Sequence, residues 1–137
     1  MSEGSQAPVI LITGGGRGVG AATARLAAER GYDVAISFAS NEAAARAVAD
    51  DVRAAGRKAL AVQADSADCG QVVRLFSAID REFGRLDVLV NNAAIIAKQS
   101  RLEDIGYERM QRIFAVNAIG PMLCAQQAAK RMSRRHG

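Results

Sequence analysis

Four short apolar runs punctuate the chain: Val9-Ile10-Leu11-Ile12, Val34-Ala-Ile-Ser-Phe38, Lys58 to Gln63 and Leu86 to Val90. Each is too short for a helix and is bounded by turn residues, the pattern of a buried strand. Between them the apolar period lengthens to three or four. Val19 to Arg30 reads as a helix stopped by Gly31, and Asn41 caps a second helix through about Ala55, with Ala44, Val48 and Val52 on one face before Gly56. Asp68 caps a third, whose Val72, Leu75, Phe76, Ile79 and Phe83 share a face, and Gly84 closes it. Residues 93–106 lack a clean period, as a surface or crevice-lining loop does. A long helix follows from Tyr107. Its period predicts Met110, Ile113, Phe114, Asn117, Pro121, Cys124, Ala128 and Met132 facing inward, with Arg109, Arg112, Gln126 and Lys130 facing out.

Strands alternating with helices of these lengths form right-handed βαβ units, so the chain is expected to be α/β: a doubly wound parallel sheet of order 3-2-1-4. In that order the switch point falls between strands one and four, and the loops after Ile12 and Val90 should border one ligand crevice. Residues 8–137 read as one domain behind a flexible arm, 1–7. Repeats, low-complexity tracts and a linker are absent from the sequence.

Composition narrows the function. The 137 residues are 50% hydrophobic with a net charge of +4, enough to build a core. The cations are scattered and aromatics for base stacking are few, which argues against nucleic-acid binding. The densest basic group, Lys130, Arg131, Arg134, Arg135 and His136, is expected in the last helical turns, where it complements the helix dipole. Cys69 and Cys124 have no metal-ligand spacing and read as reduced packing residues of a cytoplasmic protein, with no metal site. No secretory leader or membrane-spanning run is visible in the sequence.

The chemistry begins at Thr13-Gly-Gly-Gly-Arg-Gly-Val-Gly20, between the first strand and first helix. A tight turn there lets backbone N–H groups and the helix's positive end approach a pyrophosphate. Three further motifs follow in order: Asp65-Ser66 after strand three, Asn91-Asn-Ala-Ala94 after strand four, and Val116-Asn117 in the long helix. Together they resemble the N-terminal half of the short-chain dehydrogenase/reductase family, a Rossmann-type fold, from Val9 onward; Ala94 departs from the family's usual glycine.

The resemblance implies that a nicotinamide dinucleotide is held by Thr13, Gly14, Gly16, Arg17, Gly18, Val19 and Gly20, by Ala39 and Ser40 after strand two, and by Asp65, Ser66, Asn91, Asn92 and Ala93. In that picture Asp65 accepts from the adenine amino group, with Ser66 beside it, while Asn91 and Asn92 fix the fourth loop and line the ribose. An NAD enzyme should end strand two with a carboxylate for the ribose 2′-hydroxyl, but that stretch reads Ile36-Ser-Phe-Ala-Ser-Asn41, and Asp33 lies at the wrong end. Arg17 and the Ser40 hydroxyl instead suit a 2′-phosphate, so NADP is expected over NAD.

Asn117 is the one candidate for the catalytic machinery. Pro121 has no N–H, so the Asn117 carbonyl loses its usual helical partner and is expected to stand free and inward. The resemblance implies that it holds a water in a proton relay to an active-site lysine. The family's tyrosine, the lysine four residues after it and the carbonyl-polarising serine are not identifiable; Tyr32 and Tyr107 lack that lysine, and about half of a family member is expected beyond Gly137. The implied activity is hydride transfer between the cofactor and a small carbonyl or alcohol substrate, by a homo-oligomer, dimer or tetramer. Two alternatives stand beside it: a non-catalytic NADP(H)-binding module, and a fragment completed by another chain through its strand-four edge and last helix.

Overall fold

The computed structural model describes residues 6–133. Residues 1–5 of the expected arm, and Arg134, Arg135 and His136 of the basic cluster, lie outside them. Strand β1 (Val9–Ile12) leads into α1 (Gly18–Glu29), β2 (Asp33–Phe38), α2 (Glu42–Ala54), β3 (Ala59–Gln63), α3 (Cys69–Phe83) and β4 (Val88–Val90). The sheet has the order β3-β2-β1-β4 and every pair is parallel, with Val9 opposite Asp33 and Ile10 opposite Val88.

Strand β1 sits at the centre, all four of its residues buried, and alternation divides them between two cores. Ile10 and Ile12 meet Ala21, Ala24 and Ala28 of α1 and Val48 and Val52 of α2. Val9 and Leu11 meet Val72, Leu75, Phe76, Ile79 and Phe83 of α3 on the other face. The alanine stripe keeps α1 close to the sheet, which the phosphate-loop geometry needs at its N-terminus. The expected caps form: Asn41 Oδ1 accepts from the Ala44 amide and Asp68 Oδ1 from the Gln71 amide, both at 3.0 Å. Strand β4 begins two residues later than its apolar run, and Asp87 before it ties back to β1, its carboxylate accepting from the Val9 amide at 2.8 Å.

After β4 the chain runs without regular structure to a 3₁₀ turn at Leu102–Asp104. Helix α4 (Tyr107–Phe114) then passes through a π-turn (Ala115–Ile119) into α5 (Gly120–Met132). The expected inward face is corrected here. Phe114 is 67% exposed, and Met110 and Met132 are also exposed, whereas Val116, Gly120, Cys124 and Ala128 are buried. The π-turn takes up one residue and resets the phase. A plain α-helix would rotate an every-fourth-residue stripe by about 160° between positions 112 and 128, and one absorbed residue reduces that to about 60°. Pro121 stands in the first turn of α5, and Gly120 donates five residues back to the Ala115 carbonyl.

The cysteines also separate. Cys124 is buried, and burial pushes its thiol up to about 11, whereas Cys69 is exposed at the start of α3 rather than packed.

Candidate functional site

The turn between β1 and α1 is sewn to two neighbouring strand ends. Thr13 is buried at the end of β1, and its Oγ1 accepts from the backbone amides of Asn92 and Ala93, both at 3.0 Å. The Asn92 side-chain amide returns the connection, donating to the carbonyls of Thr13 at 3.1 Å and Gly14 at 3.0 Å. From the β2 side, Ser37 Oγ accepts from the Gly14 amide and the Ser37 carbonyl from the Gly15 amide. Gly14 holds φ +64°, which a side chain would strain. A Cβ on Gly20 would lie 2.5 Å from both Asn92 Nδ2 and the Gly14 carbonyl, so the first turn of α1 can dock here only as glycine.

This arrangement leaves the start of α1 open. Asn41 and Asp68 cap α2 and α3, but Arg17 makes no side-chain cap to α1 and no acidic residue occupies its first turn. Its N-terminal amides and positive dipole end therefore face a cleft of about 470 Å³ at the carboxyl ends of the strands. That chemistry fits a phosphate.

Of the residues expected to bind cofactor, the cleft is lined by Gly14, Gly16, Arg17, Gly18, Val19, Ala39, Ser40, Asp65, Ser66, Asn92 and Ala93. Thr13 and Gly20 are buried beneath the turn and build it rather than line it. Asn91 is not among the lining residues: its amide donates to the Pro121 carbonyl at 3.1 Å, tying β4 to α5. Adjacent asparagines in parallel-strand geometry face opposite ways, and the doublet in the sequence concealed that division. Asn117 does not line the cleft either and is exposed rather than inward, while its side chain clasps Ile95, accepting from the amide at 2.8 Å and donating to the carbonyl at 2.7 Å.

At the end of β2 the cleft meets Phe38, Ala39, Ser40 and Asn41 but no carboxylate from that strand. Asp33 sits at the opposite end, 2% exposed, paired with Arg57 at 2.9 Å. Arg17 is exposed on the cleft rim and has no ion-pair partner among the described residues. The mouth carries one cation that periodicity had placed on the outer side of the last helix. Arg112 of α4 lines the cleft and pairs with Asp65 Oδ2 at 3.1 Å. A single stripe drawn over residues 110–132 runs through two helices that the π-turn sets out of phase, so no short-range sequence signal marked Arg112. Among the described residues no group of three or more His, Cys, Asp or Glu could hold a metal, and no helix is long and apolar enough to cross a membrane.

A parallel β3-β2-β1-β4 sheet with an uncapped glycine turn at its switch point defines a dinucleotide-binding α/β domain. The short chain dehydrogenase family model matches residues 8–137, and the chain belongs to that family. It is 43% identical over 129 residues to the uncharacterized oxidoreductase YgfF of Escherichia coli K12, a match covering 94% of this chain and 52% of that protein. A short chain dehydrogenase from Burkholderia cenocepacia J2315, solved in complex with NADP, superposes with a TM-score of 0.88 at 39% identity, over 91% of this chain and 51% of that one. A blue fluorescent protein from a metagenomic library, solved with NADPH, gives a TM-score of 0.84 at 37% identity, over 91% of this chain and 51% of that one. The chain thus spans about half the length of the relatives it matches, and nicotinamide-dependent oxidoreduction is the chemistry of its family.

Proposed function

We propose that residues 8–137 form the cofactor-holding half of an oxidoreductase that prefers NADP(H) over NAD(H) and exchanges hydride with a small carbonyl or alcohol substrate. The observation that carries the preference is the end of β2, where the cleft offers Ser40 and Asn41, with Arg17 in the same lining, and no carboxylate from that strand. A carboxylate there would accept from a ribose 2′-hydroxyl and repel a 2′-phosphate, whereas a guanidinium attracts the phosphate.

In this reading the bound dinucleotide supplies the hydride, and this chain's residues supply place and charge. The amides of Gly18, Val19 and Gly20 hold the pyrophosphate with Gly14 and Gly16, the staple formed by Thr13 and Asn92 keeps that turn shut, and Ala39 and Ser40 border the adenosine ribose. Asp65 and Ser66 take the adenine, and Asn92 and Ala93 flank the path onward. Asn91 acts at one remove, holding the end of β4 against α5. Asn117 belongs to the proton path through its carbonyl, a role supported by Pro121, which cannot supply that carbonyl's usual N–H, and by the π-turn around it. A homo-oligomer is supported by the apolar side chains that α4, the π-turn and α5 leave exposed, Phe114, Ile119 and Met122.

Titration calorimetry tests the reading. NADPH should bind at least about tenfold more tightly than NADH, since a hydrogen bond to a charged group contributes about 1.5–3 kcal/mol. Arg17→Ala should erase most of that margin while leaving NADH little changed. Tighter binding of NADH by the wild-type chain would overturn the preference.

A further inference from the structure

Arg112 stands outside everything the glycine turn and the strand ends explain. Its Nη1 donates to Asp65 Oδ2 at 3.1 Å, across the gap between α4 and the loop after β3. The other carboxylate oxygen of Asp65 is already engaged by its own loop, accepting from the Ala67 amide at 2.9 Å. Gln71, itself held by Asp68, accepts from the Asp65 amide at 2.8 Å. Backbone and one oxygen are therefore pinned from the β3–α3 side. Arg112 pins the second from the far wall of the cleft.

The pair is half exposed, with side-chain accessibilities of 53% for Arg112 and 35% for Asp65, and exposed pairs contribute little to folding. Its consequence lies in orientation. Val116 of the π-turn, four residues on from Arg112, is buried and also lines the cleft, so an apolar side chain stands on the same wall as the cation that holds Asp65. A carboxylate fixed at both oxygens keeps lone pairs in set directions, and a neighbouring guanidinium lowers the cost of leaving it beside an apolar base.

We infer that Arg112 is a specificity-determining positioning residue: by fixing the Asp65 carboxylate it makes the cleft select a base with an amino group at the six position over one with a carbonyl there. The inference rests on the proposed reading of the cleft as a dinucleotide site. With Arg112 present, a hypoxanthine base would bring its carbonyl oxygen against an immobile carboxylate oxygen. Without Arg112, the carboxylate can swing away and the two bases become nearly equivalent.

The test compares NADPH with its hypoxanthine analogue, reduced nicotinamide hypoxanthine dinucleotide phosphate, on the 137-residue chain. The wild-type chain should favour the adenine form by about tenfold, the scale of one discriminating hydrogen bond. Arg112→Ala and Arg112→Gln should bring that ratio close to one, chiefly by weakening NADPH, with Arg112→Lys between. The thermal midpoints of the variants should stay near that of the wild type, and Arg112→Gln carries the test should Arg112→Ala fold poorly. An unchanged ratio in folded variants overturns the inference and leaves the cofactor reading standing. Failure of the wild-type chain to bind NADPH overturns both.

Discussion

Thr13 shows how much one hydroxyl can organise. Its oxygen accepts from the amides of both Asn92 and Ala93, and the residue is 1% exposed, so water has little access to replace it. Thr13→Val keeps the shape and removes that acceptor, leaving two amides unpaired at about 1–3 kcal/mol each. Equilibrium denaturation should show a loss of about 2–5 kcal/mol with weakened NADPH binding; Thr13→Ser, which keeps the oxygen, should lose less than half as much. At this scale the sequence was legible where a residue's job follows from its backbone position. The glycines of the turn are of that kind, since close approach and positive φ require them whatever the rest of the fold does. It was less legible where two like residues divide the work. Asn91 and Asn92 read identically, and only the pleat at the end of β4 sends one amide to Pro121 and the other to the glycine turn.

Among elements, the strands and the first three helices follow from short-range physics: apolar runs, side-chain caps and glycine stops that act within a few residues. The long helix does not, because one π-turn shifts the phase of everything beyond it. Helices α4 and α5 are out of phase across that turn, so one stripe drawn through both put Phe114 inside and Arg112 outside. Gly120 marks a close approach of the re-phased helix to the loop after β3: a Cβ there would lie 2.9 Å from the Ser66 carbonyl and 3.0 Å from Ser66 Cβ. Both contacts belong to the loop that carries Asp65. Gly120→Val should therefore push the helix off that loop, costing about 1–3 kcal/mol by overpacking, and should weaken NADPH more than it weakens a reduced nicotinamide mononucleotide lacking the adenosine. Equal weakening of both ligands would show that the helix acts on the whole cleft rather than on its adenine end.

The whole molecule has two unlike ends. At the carboxyl ends of the strands, N–H groups are left open for a ligand; at the amino ends, carboxylates are paired. Asp33 holds Arg57 and the Lys58 amide there, and Asp87 holds Arg85 at 2.7 Å and the Val9 amide at 2.8 Å. The hydrogen bonds from Arg85 first, then the Val9 amide, keep the Asp87 carboxyl below the usual carboxylate range despite its partial burial. The folded state therefore favours ionised Asp87 relative to the unfolded chain, whose carboxyl titrates near 3.8. That contribution is complete above this value and is lost as the pH falls through the lower, folded-state value. Asp87→Asn cannot ionise, so it should be less stable than the wild type at neutral pH, and the gap in denaturant midpoint should close as the pH drops below about 4. Because Asp87 lies at the opposite end of the sheet from the cleft, the same variant should bind NADPH at pH 7 with wild-type affinity, as distant and unshared sites act independently. A gap in stability that persists at acid pH would trace the loss to packing of the residue, and weakened NADPH binding would mean that strain at the amino end of β4 travels along the strand to Asn92.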